Sequence, residues 1–179
     1  MLTQKPRSAK STYSKRTKIN FFSLFLYSPK MMLEKMSDPQ FLQAKPEDAP
    51  ELTRICKIAF DDLSLRTLGK AEGGPPGYDS VEYQLERIGS TPYLKIVLCK
   101  KIIGGIILYK KEHGHMMLGR IWITPTQRNN GIGTKALQHL EKSFPAKKWS
   151  LETPTYAKGN HHFYEKMGYI RKGIVPDIP

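Results

Sequence analysis

The sequence has few cysteines, few acidic residues and no long apolar run. Only two cysteines, Cys56 and Cys99, occur among 179 residues, which is too few for a disulfide framework or a cysteine-based zinc site. Both lie in apolar stretches, so we expect two reduced thiols in the core. The five histidines show no H-x-x-x-H spacing with a carboxylate partner, and we predict no metal site.

No apolar stretch is long enough to cross a bilayer, which takes about 20 residues. The apolar cluster at residues 21–27 is short and interrupted, and Pro29 and Lys30 follow it in place of a small-residue cleavage site. We therefore predict no membrane span and no secretory signal. The expected protein is soluble and cytoplasmic, with no membrane partner.

The positive charge is concentrated at the N-terminus. The chain has 29 Lys and Arg against 16 Asp and Glu, and residues 1–36 contain eight of the basic residues and a single acid, Glu34. This region lacks helical or strand periodicity, which predicts a disordered basic tail over residues 1–36 and one domain over residues 37–179. A nucleic-acid-binding arm is the less favoured alternative. Another is a start codon assigned too early, with the true start at Met31, Met32 or Met36.

The remaining residues show alternating strand and helix patterns. Apolar, β-branched runs predict six strands: residues 41–44, 93–99, 102–109, 116–123, 149–153 and 169–175. Helical spacing of apolar residues predicts four helices: residues 47–63, 81–88, 134–144 and 159–167. Gly104 and Gly105 indicate a bulge or a close backbone approach. The predicted fold class is α/β (α+β), a single domain with a mixed central sheet of about six strands and helices on both faces.

Residues 127–134, with the sequence QRNNGIGT, lie between a strand that Pro125 ends and a predicted helix. Glycine allows close backbone approach, and the first N–H groups of a helix lack intrahelical partners, so this junction is suited to an anion. A nucleotide-triphosphate loop is excluded because its lysine directly follows a glycine, whereas Lys135 directly follows Thr134. Residues 131–136 match the dinucleotide pattern G-x-G-x-x-A, with Glu152 as the ribose carboxylate. In dinucleotide-binding folds, however, the first glycine follows the strand directly, whereas here residues 125–130 intervene.

Two motifs together resemble those of one family. Arg128-x-x-Gly131-x-Gly133 is similar to the acetyl-CoA loop of the GCN5-related N-acetyltransferase (GNAT) family, although glycines packing a helix N-terminus would look alike. Residues 163–169, FYEKMGY, resemble the family's second motif, a helix with a tyrosine followed by glycine and an aromatic residue. The resemblance covers about residues 41–175.

The resemblance implies where acetyl-CoA, used as a cosubstrate, would bind. Its pyrophosphate would lie on backbone N–H groups of the loop, with Arg128 adding charge, and its pantetheine arm would pair with a strand edge. The implied cofactor-binding residues are Ile121, Trp122, Ile123, Arg128, Asn129, Asn130, Gly131, Ile132, Gly133, Thr134 and Asn160. Many relatives have asparagine where this chain has Ala157, so the role of Asn160 stays open.

The resemblance also implies a reaction, in which a primary amine attacks the thioester directly. Tyr164 is the candidate acid for the leaving thiolate and Glu152 the candidate base, with His115 and Glu112 as weaker alternatives. Whether Glu152 or a water serves as the base is left open. We expect residues 69–77 to shape the acceptor pocket. The alternatives are a cofactor-binding module without turnover and a nucleic-acid-associated protein that uses the basic tail. The acceptor, a small-molecule or peptide amine, and the formation of a homodimer are left open.

Overall fold

Five strands form one mixed sheet in the part of the chain that the computed structural model describes, residues 38–174. They are β1 (Gln40–Gln43), β2 (Tyr93–Leu98), β3 (Lys101–Lys110), β4 (His115–Ile123) and β5 (Lys148–Leu151). The strands lie side by side in chain order, and each neighbouring pair is antiparallel except β4 and β5, which are parallel. A parallel pair needs a crossover connection, and the helix between β4 and β5 supplies it.

Four α-helices occur within residues 38–174. They are α1 (Ala49–Leu68), α2 (Val81–Ser90), α3 (Ile132–Ser143) and α4 (Lys158–Lys166). The α1 helix ends at Gly69, whose φ of 68° is a left-handed conformation that glycine adopts without strain. Ser80 caps α2 by accepting a hydrogen bond from the Tyr83 backbone N–H at 3.1 Å.

The helices cover both faces of the sheet, and each face has its own apolar cluster. On one face α1 packs through Leu52, Ile55 and Cys56 against strand residues such as Tyr93 and Trp122, with α2 at the margin. On the other face α3 buries residues such as Leu137 and Leu140 against the strands, and Tyr164 of α4 packs beside it. The predicted fold class, a mixed sheet with helices on both faces, is confirmed.

The prediction of a sixth strand at residues 169–175 is wrong for residues 169–174. Tyr169 to Ile174 pair with no strand of the described chain, and Val175 lies outside the described residues. Ile170 and Ile174 are 76% and 80% exposed. An alternating apolar pattern forms a strand only where a partner edge and a buried face are both present. The predicted basic tail, residues 1–36, also lies outside the described residues.

The two cysteines have different environments. Cys56 is buried in α1 as predicted, but Cys99 is exposed, so its predicted place in the core is wrong. Cys99 and Lys100 form the two-residue turn between β2 and β3, with φ of 48° and 63°. Two left-handed residues are the geometry of a tight hairpin turn, and this turn lies outside the core.

Glycines affect the packing and the bending of two neighbouring strands, β3 and β4. A Cβ on Gly104 or Gly105 would collide with the Trp122 carbonyl or indole ring, which confirms the predicted close approach. In β4, Gly119 is an extra residue, because Arg120 pairs with Ile107 and Leu118 pairs with Leu108. Such a bulge bends the strand. No helix within residues 38–174 is long and apolar enough to cross a membrane.

Candidate functional site

The loop between β4 and α3 turns twice through left-handed backbone. After the short 3-10 helix Pro125–Gln127, Asn129 has a φ of 62° and Gly131 a φ of 72°. Gly131 is the N-cap residue of α3, and no side chain caps this helix. Asparagine and glycine are the residues that tolerate positive φ best, so the sequence matches the backbone that the loop adopts.

The loop contains a series of backbone donors without acceptors. Within residues 38–174, no hydrogen bond is donated by the backbone N–H groups of residues 129–134, and the α3 ladder begins with Lys135 N–H to Gly131 C=O at 3.0 Å. The first turn of α3 has no acidic residue. The positive end of the helix dipole is therefore uncompensated, and an anion such as a phosphate would satisfy both the dipole and the N–H groups.

The two glycines of the loop have different surroundings. A Cβ added to Gly131 would meet no heavy atom within 4 Å, so open space lies on that side of the loop. A Cβ on Gly133 would lie 3.1 Å from Cζ of Phe163 in α4. Gly133 therefore allows close packing between α3 and α4, while Gly131 leaves room beside the exposed N–H groups.

Arg128 is directed towards α1. Its Nη1 donates to Oδ2 of Asp62, and its Nη2 donates to the Ala59 carbonyl at 2.9 Å. Burial opposes ionisation of Asp62, but hydrogen bonds from Arg66 and Arg128 hold the pKa of this carboxyl below its ordinary value. Arg128 thus anchors the loop to α1. A second role for Arg128, adding positive charge at a bound pyrophosphate, stays a prediction.

Strands β4 and β5 separate beside this loop. Their register runs from His115 with Lys148 to Leu118 with Leu151, where β5 ends, whereas β4 continues to Ile123. The edge of β4 at Ile121, Trp122 and Ile123 therefore has no strand beside it on the β5 side among the described residues. An extended amide-containing chain could pair with such an edge. The Trp122 ring is buried on the α1 face, 5.9 Å from the Tyr93 ring.

A cavity of about 250 Å³ occupies the opening between the strands. Four of the predicted site residues line it, namely Ile121, Glu152, Asn160 and Tyr164. The remaining walls come from the C-terminal half of α1, the loop after it, the β4 bulge and the segment after β5: Phe60, Leu63, Ser64, Gly73, Gly74, Pro75, Leu118, Gly119, Arg120, Thr153, Pro154 and Tyr156. Part of the loop expected at an acceptor pocket, residues 73–75 of 69–77, thus lies in the cavity wall.

Tyr164 enters the cavity from the α4 side. Its ring contacts the rings of Phe163 and Tyr169, with centroids 5.1 and 5.9 Å away. Burial, with a smaller effect of Tyr169, raises the pKa of the Tyr164 hydroxyl above its ordinary value near 10. The phenol is therefore protonated at neutral pH, as a proton donor must be. No hydrogen bond of this hydroxyl occurs within residues 38–174.

Glu152 and Asn160 lie at the mouth of the same cavity. Glu152 is exposed and follows the last residue of β5. Asn160 donates from Nδ2 to Oγ1 of Thr153 at 3.4 Å, a weak hydrogen bond that a ligand could replace. The weaker base candidates Glu112 and His115 lie outside this cavity, at the beginning of β4, where His115 contacts Oγ of Ser150 at 2.7 Å.

Sequence reasoning missed the contribution of the α1 face. Leu63 was interpreted only as part of a helical pattern, and neither Phe60 nor Arg120 was considered, although all three line the cavity. A weak signal was present, since Arg120 is a single charged residue within the otherwise apolar strand β4. The bulge at Gly119 had no sequence signal beyond the glycine itself.

Comparison with known proteins identifies the family. The sequence profile of the acetyltransferase (GNAT) family matches residues 53–169. The chain belongs to the GNAT family. The matched region begins within α1 and ends at Tyr169, so it includes both the loop and the cavity. Members of this family are acetyltransferases.

One relative and two solved structures illustrate the similarity. The uncharacterised protein YrkN of Bacillus subtilis (strain 168) is 28% identical over 144 residues, which are 79% of this chain and 74% of the relative. The PaiA N-acetyltransferase of Thermoplasma acidophilum, solved in complex with coenzyme A, has a TM-score of 0.55 at 18% identity, covering 72% of this chain and 88% of that one.

A ribosomal-protein-alanine N-acetyltransferase from Brucella melitensis biovar Abortus 2308 has a TM-score of 0.56 at 16% identity, covering 79% of this chain and 98% of that one. At these identities the two structures establish the GNAT fold and no more. Among residues 38–174, no group of three or more His, Cys, Asp and Glu residues is arranged to hold a metal ion.

Proposed function

We propose that this GNAT domain transfers an acetyl group from acetyl-CoA to a primary amine. The observation that carries the proposal is that one cavity contains both a protonated phenol, Tyr164, and a carboxylate, Glu152, at the point where β4 and β5 diverge. A structural relative in complex with coenzyme A supports the choice of cofactor.

The proposed binding mode uses backbone groups for most of the cofactor. The pyrophosphate lies on the N–H groups of residues 129–134, which have no acceptor within the described chain. The pantetheine arm pairs with the edge of β4 at Ile121, Trp122 and Ile123. The thioester then reaches the cavity, with Tyr164 on one side and Glu152 on the other.

The proposed reaction is a direct displacement at the thioester carbonyl. The amine nitrogen forms a bond to the acetyl carbon, the bond from that carbon to sulfur breaks, and the electron pair goes to the sulfur. Glu152, directly or through a water, accepts the proton that the ammonium must lose. The Tyr164 hydroxyl donates a proton to the departing thiolate. The nitrogen loses a second proton after the attack, and a proton taken up from solvent restores the Tyr164 hydroxyl. Each transferred acetyl group yields one amide and one CoA thiol, and one net proton is released.

The proposal is tested with purified protein, acetyl-CoA and a panel of amines that includes amino acids, their amides, polyamines and short peptides. Release of the CoA thiol is measured together with the mass of the acetylated product. Transfer to at least one amine is expected, and it should depend on the Tyr164 hydroxyl. If acetyl-CoA binds and no amine is acetylated, the protein is a cofactor-binding module and the enzyme assignment is wrong. The cytoplasmic location stays a prediction.

A further inference from the structure

The cavity has a simple charge pattern. Among the described residues that line it, only Arg120 and Glu152 are charged. Glu152 comes directly after the end of β5 and lines the cavity. Arg120 lies on the α1 face, since its guanidinium lies over the rings of Phe60 and Tyr83. One cation and one anion therefore line the same cavity.

Arg120 is held in place but its charge is not neutralised. Nη2 donates to the Pro76 carbonyl at 3.0 Å, and the guanidinium carbon lies 5.8 Å from the centre of the Phe60 ring and 5.0 Å from that of Tyr83. Nη1 is buried without a hydrogen-bond partner. No carboxylate within residues 38–174 forms an ion pair with Arg120. A buried donor without an acceptor is unfavourable, and a charged donor more so.

The acidic groups of the neighbouring α1 helix are already engaged. Asp61 accepts hydrogen bonds from Lys57 at 2.9 Å, from the Gly73 N–H at 3.1 Å and from the Tyr78 hydroxyl at 2.9 Å. Asp62 is bound by Arg66 and Arg128.

The thiol of Cys56 is close enough for the charge of Arg120 to act on it. Burial raises the pKa of Cys56 to about 12, although the charge of Arg120 and hydrogen bonding of the thiol with Arg120 and Gln84 act in the opposite direction. The thiol is therefore neutral at physiological pH. Neither α1 carboxylates nor this thiol supplies the anion that Arg120 lacks.

The cavity size limits the acceptor. Sites for drug-sized ligands have volumes of about 300–1,000 Å³, and this cavity has about 250 Å³. A compact acceptor fits better than a large one. A polyamine would in addition bring positive charge to the unneutralised guanidinium of Arg120, which is unfavourable.

We propose that the acceptor is a compact amine that also carries a carboxylate, such as an α-amino acid, with Arg120 binding the carboxylate and Glu152 facing the amine. This inference rests on the proposed function. Hydrogen bonds from a guanidinium to a carboxylate are strong and directional, so Arg120 would provide orientation as well as charge. An amine without a carboxylate would leave Arg120 unneutralised.

The test compares matched acceptors that differ only in the carboxylate. The ratio of kcat/KM for a series of L-amino acids to that for the corresponding amides is measured in wild type, Arg120→Gln and Arg120→Lys, with spermidine as the polycationic acceptor. A ratio of two acceptors within one preparation is independent of the folded fraction. Comparison with wild type removes the difference in amine pKa between acid and amide.

Arg87→Gln is the matched control. Arg87 also lies over the Tyr83 ring, 5.2 Å from its centre, and has a buried donor without an acceptor, but it does not line the cavity. We expect wild type to prefer acids over amides by on the order of 10–100-fold, the range for a hydrogen bond between charged groups. The preference should disappear in Arg120→Gln, persist in part in Arg120→Lys and remain unchanged in Arg87→Gln.

The outcomes separate this inference from the proposed function. If wild type acetylates amides or spermidine as well as amino acids, or if Arg120→Gln keeps the preference, the inference is wrong and the acetyltransferase assignment stands. If wild type releases no CoA with any amine, the proposed function is wrong and the inference falls with it.

Discussion

The loop before α3 and the cavity between β4 and β5 present different kinds of group to a ligand. The loop presents backbone N–H groups of six consecutive residues, 129–134, and the identity of its side chains matters mainly through glycine and asparagine at positive φ. The cavity instead combines side chains from α1, the loop after it, β4, the segment after β5 and α4. A cofactor shared by a family is suited to backbone recognition, whereas an acceptor particular to one member requires side chains.

The largest effect is expected in the cavity, for a substitution of Tyr164. Tyr164→Phe keeps the ring contacts with Phe163 and Tyr169 and removes the hydroxyl. If that hydroxyl protonates the departing thiolate, kcat should fall by roughly 10²–10⁴ with the affinity for acetyl-CoA nearly unchanged, since the interaction matters chiefly in the transition state. Steady-state kinetics and a binding titration measure the two quantities.

The structural cost of the same substitution should be small. No hydrogen bond of the Tyr164 hydroxyl occurs within residues 38–174, so the loss of stability should stay below the range of about 0.5–1.5 kcal/mol of a typical hydrogen bond. Tyr169→Phe is the control, because its ring contacts Tyr164 and it does not line the cavity. A Tyr164→Phe variant that keeps most of its turnover would transfer the acid role to a water or another residue.

The next largest effect is expected in the loop before α3, for a substitution of Gly131. An aspartate there would place a carboxylate beside the N–H groups, in space where a Cβ meets no heavy atom within 4 Å. We expect acetyl-CoA affinity to fall by roughly 10²-fold or more, because like charges in contact cost several kcal/mol. Gly131→Asn is the neutral control, since asparagine has nearly the same shape and tolerates the φ of 72°.

Isothermal titration of both folded Gly131 variants with acetyl-CoA measures the difference. Equal affinities of the Asp and Asn variants would show that the pyrophosphate does not lie on this loop. Gly133 is less suitable for the test, because a Cβ at Gly133 would contact Phe163 and disturb the packing of α4.

A smaller effect is expected at Glu152, which is exposed and can be replaced in part by water. Glu152→Gln should lower kcat/KM by roughly 10–10²-fold at neutral pH, at or below the usual range for a general base. The loss should shrink as the pH approaches the pKa of the acceptor amine, because the amine then needs no base. Glu165→Gln, an exposed substitution on α4 outside the cavity, should have no effect. A pH-independent loss would indicate that Glu152 binds the acceptor without taking its proton.

The smallest effect is expected for substitutions of Arg128 and Asp62, whose ion pair joins the loop to α1. Both side chains are about a third exposed, at 28% and 31%, so breaking the pair should cost about 1 kcal/mol of stability. If Arg128 acts by anchoring the loop, Arg128→Gln and Asp62→Asn should weaken acetyl-CoA binding equally, and the double variant should be no worse. If Asp62→Asn strengthens binding while Arg128→Gln weakens it, Arg128 contacts the pyrophosphate directly.

The position of the loop between a strand and a helix could be predicted from the sequence because its signals are local. Gly131 and Gly133, entered through Pro125 and followed by helical spacing, define a strand, a turn and a helix N-terminus within about twenty residues. The elements of the fold were predicted for the same reason, since periodicity is a property of neighbouring residues. The strand at residues 169–175 failed because a strand also needs a partner edge, which local periodicity does not report.

The cavity could be predicted only in part. Tyr164 and Glu152 were found through the family resemblance, but Arg120, Phe60 and the Arg128–Asp62 contact join residues far apart in the chain. No pattern within one element reports such contacts. The exposure of Cys99 was missed because its two-residue turn with positive φ follows an apolar strand without a glycine or asparagine to mark it.

The central claim, that this chain binds acetyl-CoA through the loop and the edge of β4, is tested most directly by ligand-dependent unfolding. Acetyl-CoA at about a hundred times its dissociation constant should add about 2.7 kcal/mol to the free energy of unfolding. NAD, which also contains a pyrophosphate but lacks the pantetheine arm, and ATP should add far less at the same concentration. Equal stabilisation by acetyl-CoA and NAD, or none by acetyl-CoA, would contradict the account.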